Sequence, residues 1–251
     1  MIDSISEVEN DPVVERGAVV GPHVVFAGPG VRVQANARID AASVIGEGVT
    51  LGSGCRIRAG SVVLRDVPPN AVVEGNPAQV VGYVDSTPPH ATNPATLVEF
   101  GNLDSLKRPT RVPLEVGDCA LYLMRRMTDA RGSLTVGEVP TEVPFNPARY
   151  FTVFDVPSRE LRGEHAHKRC QQFLLCVHGS CRVLLDDGTS RQEVLLDRPD
   201  MGVFMPEMIW GTQYRYSPDA VLLVFASRPY EAGDYLRSYD EFLTAVESRK
   251  S

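Results

Sequence analysis

The sequence predicts an all-β protein in two parts, a solenoid over its first third and a barrel or sandwich of short strands behind it. Three observations carry this. An aliphatic or aromatic residue returns every sixth position from residue 14 to residue 63. A proline-rich stretch without apolar periodicity follows residue 84, and short apolar or alternating runs separated by turn residues fill residues 120 to 226. The expected segments are a repeat domain over 1–84, a linker over 85–102 and a second domain over 103–251, and 251 residues suffice for two hydrophobic cores.

The repeating positions are Val14, Val20 and Phe26, then, after one slip, Val33, Ile39, Ile45, Leu51, Ile57 and Val63. Four residues after most of them stands a compact side chain: Ala18, Val24, Ala37, Ser43, Val49, Cys55, Ser61. A period of six fits neither helix nor hairpin. It fits a coil with flat faces, whose short strands each send one large residue inward and turn at tight corners. Glycine suits such corners because it tolerates backbone angles other residues avoid. The run from Ile45 to Arg56, with Gly46, Gly48, Gly52 and Gly54, therefore reads as corners and not as a nucleotide loop, since no βαβ pattern surrounds it.

These residues, with V-P-P-N-A-V-V-E-G-N-P-A (Val67 to Ala78) at their end, resemble the hexapeptide-repeat acyltransferases over about residues 13 to 84. The resemblance implies a left-handed parallel β-helix, a trimer, acetyl-CoA bound between neighbouring helices, and a histidine that deprotonates an acceptor amine. The segment has only His23, early in a short helix, and lacks the long Asn-Asp-containing loop of sugar N-acetyltransferases of this kind. It reads first as a shortened helix kept for assembly, because a few coils bury little area alone and gain most from lateral packing on copies of themselves.

Residues 85 to 96, D-S-T-P-P-H-A-T-N-P-A-T, hold three prolines among small polar residues, as an interdomain connection should, with His90 a solvated linker residue. Beyond residue 114 the runs Ala120 to Met124, Tyr150 to Asp155, Gln172 to Val177, Cys181 to Leu185, Val194 to Leu196, Gly202 to Met205 and Ala220 to Ala226 read as strands of a sandwich or barrel. Asp186 to Gly188 signals a hairpin turn. Glu231 to Val246 reads as a terminal helical segment capping one end of the barrel.

Lysine and arginine number 25 against 32 acidic residues, a net charge of −7, and an acidic surface repels phosphate backbones, so nucleic acid is not expected as a partner. A small anion can still bind where a few arginines line one pocket. The longest apolar runs fall far short of the roughly 20 residues of a membrane span, so no membrane partner is expected. The N-terminus MIDSISEVENDP lacks the basic and apolar regions of a signal peptide, which predicts a cytoplasmic protein. The five cysteines, without a CxxC pair, read as buried reduced thiols.

The chemistry is expected in R-G-E-H-A-H-K (Arg162 to Lys168), because side chains two apart on a strand share a face. His165 and His167 then stand together beside Arg162. An H-x-H pair also opens the metal site of cupin barrels, which continues with a glutamate and a later histidine. Here Gln172 and Trp210 stand near those places, and two neutral ligands make a poor divalent site, so no metal is expected. Two imidazoles in an apolar cup suit proton transfer at a carbon beside a carbonyl: one group acts as base, and another donates to the developing enolate oxygen.

From about residue 103 to the end, the sequence is similar to the sugar 3,4-ketoisomerases. These are cupin enzymes, with a double-stranded β-helix or jelly-roll barrel, that act on dTDP-4-keto-6-deoxyglucose. The matching blocks are D-A-R-G-S-L (Asp129 to Leu134), R-Y-F-T-V-F-D-V-P (Arg149 to Pro157), R-G-E-H-A-H-K, Q-F-L-L-C-V-H-G-S-C-R-V-L-L-D-D-G (Gln172 to Gly188) and Y-L-R-S-Y-D-E-F (Tyr235 to Phe242). With the hexapeptide segment in front, the whole resembles the bifunctional ketoisomerase/N-acyltransferases of lipopolysaccharide and S-layer sugar pathways. The resemblance implies that His165 moves the proton between C3 and C4 while His167 positions or protonates the enediol oxygens. A tyrosine that assists in relatives falls at Thr152 here, which leaves Tyr150 and His167 as candidates for the acid.

Arg131 and Arg162, each beside a glycine (Gly132, Gly163), suit the diphosphate, although Arg131 could instead close a turn salt bridge. Gln172 either bonds the ligand or fills the lost metal-ligand position, Trp210 serves either as core or as a stacking surface, and His178 is structural. Three functions follow for testing: a cofactor-free ketoisomerase with a helix for oligomerisation, a bifunctional enzyme that also uses acetyl-CoA, and a non-catalytic sugar-nucleotide-binding module. Trimeric helices and paired barrels would combine into a hexamer.

Overall fold

The computed structural model describes residues 11–84, 86–87, 105–157 and 160–250. The expected linker and His90 lie outside the described residues for the most part. Contacts within the chain gather into two compact units, Met1–Val84 and Asp85–Ser251.

In the first unit nine two-residue strands climb a parallel β-helix: β1 (Val13–Val14), β2 (Val19–Val20), β3 (Val25–Phe26), β4 (Arg32–Val33), β5 (Arg38–Ile39), β6 (Val44–Ile45), β7 (Thr50–Leu51), β8 (Arg56–Ile57) and β9 (Val62–Val63). A hairpin, β10 (Ala71–Gly75) and β11 (Ala78–Tyr83), ends it. Every third strand stacks in register, giving faces β1-β4-β7, β2-β5-β8-β10 and β3-β6-β9. The sixth-position residues form the inner columns Val14–Val33–Leu51, Val20–Ile39–Ile57–Val73 and Phe26–Ile45–Val63. Val33, Ile39, Ile45, Leu51, Ile57 and Val63 are buried, and so are the compact residues Ala37, Ser43, Val49, Cys55 and Ser61. The first coil departs from this pattern: Val14 and Val20 remain exposed at the end of the stack. The slip in the repeat is a longer corner at Pro29 and Gly30, where Gly30 has φ +76°.

The second unit is a jelly-roll barrel of two six-stranded sheets. Its strands are β12 (Ser86–Thr87), β13 (Thr110–Pro113), β14 (Ala120–Leu123), β15 (Arg125–Asp129), β16 (Gly132–Val136), β17 (Arg149–Phe154), β18 (Arg162–His167), β19 (Gln172–His178), β20 (Cys181–Asp186), β21 (Arg191–Leu196), β22 (Met201–Met205), β23 (Trp210–Tyr214), β24 (Val221–Ala226) and β25 (Tyr235–Leu236). One sheet runs β12-β21-β20-β23-β18-β25, and the other β13-β14-β22-β19-β24-β17. Leu121, Leu174, Cys176, Val183, Leu185, Val203, Leu222 and Val224 meet in the core between them. The hairpin β15-β16 is a two-stranded sheet of its own.

The terminal segment corrects one expectation. Residues 231–246 are not a continuous helix: a 3-10 turn at Ala232–Asp234 leads into β25, which pairs with β18, and helix α1 (Tyr239–Lys250) starts only after it. Backbone pairing with an open sheet edge outweighs local helical tendency over so short a stretch. Helix α1 covers a satellite core in which Phe242 and Tyr239 pack on Trp210 and Ala166. All five cysteines are buried and free, and burial pushes the Cys55 thiol up to about 12.

Candidate active site

Strand β18 places both histidines. Its ladder with β23 is irregular between Gly163 and His165, where Gly163 has φ +83° and Glu164 φ +52°. A Cβ at Gly163 would stand 2.5 Å from the Gly211 carbonyl oxygen, so the bulge requires glycine there. After it the alternation resumes: Ala166 turns to the satellite core under α1, and His165 and His167 turn the other way, with ring centroids 5.0 Å apart.

Both rings have defined partners. His165 Nδ1–H donates to the Gly163 carbonyl at 2.8 Å, which leaves Nε2 as the unprotonated nitrogen, with no partner among the described residues. His167 is buried; its Nδ1 is 3.0 Å from Oδ2 of Asp234, and its Nε2 is 3.2 Å from Nε2 of Gln172. An ionised carboxylate only accepts and an amide nitrogen only donates, so the consistent assignment is Nδ1–H on His167 with the Nε2 lone pair toward Gln172. Burial lowers the pKa of both rings. For His165 the nearby Arg237 adds to the effect and the Gly163 bond opposes it. For His167 the neighbouring His165 adds, the Asp234 carboxylate only partly compensates, and the value falls to about 4. Burial is the largest single influence on the Asp234 carboxyl and raises it, but the bond and charge of His167 together with the backbone N–H groups of Cys170 and Arg169 outweigh it and hold Asp234 below the ordinary carboxylate range. At neutral pH the site therefore holds two neutral imidazoles and one carboxylate.

Strand β25 completes the wall. Tyr235 lies opposite His167 in register, with its ring centroid 4.3 Å from His167 and 4.9 Å from His165. Arg149, at the start of β17, donates from Nη2 to the Tyr235 hydroxyl at 3.2 Å, and its buried Nε has no hydrogen-bond partner among the described residues. Arg237 stacks over the other part of this wall, 4.4 Å from the Tyr235 ring centroid. These residues were missed as site residues in the sequence, although Arg149 and Tyr235 each open a block quoted above.

Other expected site residues fall elsewhere. Along β17, Phe151 and Val153 pack on the core and Arg149 shares their side, so Tyr150, 69% exposed, and Thr152 point outward, away from the histidines. Neither lines this site. Trp210 is core: it is buried against Tyr239 and Phe242 on the far side of β23. Arg131 and Gly132 sit at the tip of the exposed hairpin, where Arg131 closes the alternative turn salt bridge, to Asp129 at 2.6 Å, and does not join the histidines within this chain. Arg162 is exposed at the start of β18, with Tyr216 in its neighbourhood. Gln172 is buried against His167. His178 pairs with Asp219 on the surface, at 3.2 Å, apart from the site.

His167, Cys170 and Asp234 also bring one ligand atom each within 4.8 Å of one another. His167 Nδ1 and Asp234 Oδ2 are already joined by a hydrogen bond, and the Arg169 guanidinium lies 3.6 Å from the other Asp234 oxygen.

The family described as FdtA, WxcM-like, C-terminal, matches residues 117–247, and the bacterial transferase hexapeptide family (six repeats) matches residues 30–65. A TDP-4-oxo-6-deoxy-alpha-D-glucose-3,4-oxoisomerase of Aneurinibacillus thermoaerophilus is 42% identical over 118 residues, covering 47% of this chain and 85% of that protein. The solved TDP-quinovose 3,4-ketoisomerase of Campylobacter jejuni matches with a TM-score of 0.50 and 40% identity over 51% of this chain and 99% of its own. The solenoid is similar to serine acetyltransferase 4 of Arabidopsis thaliana, 41% identical over 64 residues, but that match spans only 18% of the plant protein.

Proposed function

Because the chain belongs to the WxcM-like, C-terminal family through residues 117–247, we propose that its barrel is a nucleotide-sugar 3,4-ketoisomerase. Its substrate is dTDP-4-keto-6-deoxyglucose and its product the 3-keto isomer. The observation that carries this is the pair of neutral imidazoles on one strand face, one of them with an uncommitted Nε2. His165 Nε2 takes the proton from C3 and returns it to C4. His167, the acid candidate that remains once Tyr150 is seen to face outward, carries the hydroxyl proton from the C3 oxygen to the C4 oxygen. Both transfers are internal to the substrate's redox balance, so the reaction needs no cofactor. The Arg149 guanidinium, whose Nε has no partner among the described residues, and Arg237 supply positive charge beside the imidazoles for the enediolate, and the exposed Arg162 remains available to the diphosphate. Replacing His165 by Asn should abolish exchange of the C3 proton while the circular dichroism spectrum and melting temperature hold. Retained exchange would sink the assignment.

Two features support a homo-oligomer. The outer column Val25–Val44–Val62 makes one β-helix face apolar, flanked by exposed Leu64, whereas the second face carries Arg38 over Arg56, which suits lateral packing into trimers. On the barrel, hairpin β15-β16 exposes the cross-strand pair Met127 and Leu134. An isolated two-stranded hairpin is marginal in water, so a partner barrel that covers it suits both, and would bring Arg131 and Gly132 to that partner's site. Together the contacts give a hexamer. Free buried thiols suit a reducing cytoplasm, and among the described residues no helix is long and apolar enough to cross a membrane.

The hexapeptide match favours a second reading, in which the β-helix also transfers acetyl groups from acetyl-CoA. His23, at a corner of the first coil with φ +60°, is its one described histidine, so assembly is the primary role. Isothermal titration of the full chain with acetyl-CoA separates the two.

A further inference from the structure

His167 sits between a carboxylate and an amide, both in the protein interior. Asp234 and His167 are 3% and 2% exposed, and Gln172 is 5% exposed. Asp234 is held in turn by the backbone: its Oδ2 also accepts from the Cys170 N–H at 3.3 Å, and the Lys168 N–H donates to the Asp234 carbonyl at 2.8 Å. The 3-10 turn at Ala232–Asp234 delivers the carboxylate immediately before Tyr235 pairs with His167, so the two contacts on the ring come from adjacent residues. A buried carboxylate bonded to Nδ1–H does two things to an imidazole: it fixes which nitrogen has the lone pair, and it stabilises the imidazolium that forms when that nitrogen takes a proton.

We propose that Asp234 is the positioning residue for proton transfer at His167. It holds the ring with Nε2 unprotonated and supports the transient imidazolium while that nitrogen carries a proton between two substrate oxygens. In the step, the bond from the C3 oxygen to its hydrogen breaks and Nε2–H forms. Nε2–H then breaks as the C4 oxygen gains the hydrogen, and Asp234 stays ionised throughout. Gln172 gives up its bond to Nε2 when the substrate oxygens arrive. This role rests on the ketoisomerase reading of the same site.

The test uses the full chain and two variants, with histidine nitrogen NMR beside steady-state kinetics. In the wild type, His167 should show a protonated Nδ1 and an unprotonated Nε2. Asp234→Asn can present its amide N–H to Nδ1, which favours the opposite tautomer. It should lose about 10²- to 10⁴-fold in kcat with KM changed by less than about threefold. Asp234→Glu, which keeps the carboxylate, should recover part of that loss. Three results would overturn the proposal: Asn turning over within about threefold of wild type, a wild-type His167 protonated on Nε2, or equal losses in Asn and Glu with the wild-type tautomer kept. A wild type that leaves the keto sugar unchanged would instead overturn the ketoisomerase reading, and the tautomer spectrum distinguishes that failure from these.

Discussion

At the scale of the residue, burial does the tuning. Water stabilises an imidazolium far better than a barrel interior does, so His165 and His167 are both held neutral, His167 down to about 4. The same shift acts on stability. The unfolded chain binds a proton at each histidine near pH 6.5 and the folded chain does not, so stability is complete above that pH. It declines as pH falls toward 4, with His167 the largest contributor. The urea midpoint should therefore drop between pH 7 and pH 4.5, and drop less in His167→Asn. Strand parity is equally decisive. Tyr150 and Arg149 are neighbours in sequence, yet Arg149 bonds Tyr235 in the site and Tyr150 is exposed. Tyr150→Phe should leave kcat/KM within about twofold, while Arg149→Met should lower it by at least tenfold, as removal of a charged hydrogen bond costs roughly 1.5–3 kcal/mol; the reverse order would contradict this placement. The histidine pair was legible because H-x-H on a strand shares a face whatever the register. Tyr150 was not, because nothing in its alternating neighbours says which side is inward until the opposite sheet is known.

At the scale of the element, the β-helix was readable nearly residue by residue, since a repeat states its own inward positions many times over. The turn and strand at residues 232–236 were not readable. A two-residue strand has no period, and its pairing with β18 depends on an edge formed far away in sequence. That short element brings Asp234 and Tyr235, so the part of the site hardest to read was set by a long-range pairing. Hairpin β15-β16 was not among the strands read from the sequence, and its cross-strand pair Met127 and Leu134 stays exposed among the described residues. Met127→Glu with Leu134→Glu should weaken self-association of the full chain in multi-angle light scattering, without lowering its melting temperature. An unchanged assembly would remove the hairpin from the interface.

At the scale of the whole molecule, net charge and composition argue against a nucleic-acid partner without naming a substrate, and it is the barrel's interior that narrows the chemistry. A cup with two neutral imidazoles, a carboxylate and two guanidiniums is equipped to move protons on an anionic ligand. The β-helix is a separate compact unit, so its contribution to assembly or acetyl transfer is tested apart from the isomerase reaction. The most direct test of that reaction is proton NMR of the full chain with dTDP-4-keto-6-deoxyglucose in deuterated buffer containing a chelator. Loss of the C3 proton signal and growth of a 3-keto product are expected, with the coupling at C4 reporting gluco or galacto configuration. A spectrum unchanged over hours, from protein that is folded by circular dichroism, would contradict the ketoisomerase and leave a sugar-nucleotide-binding module in its place.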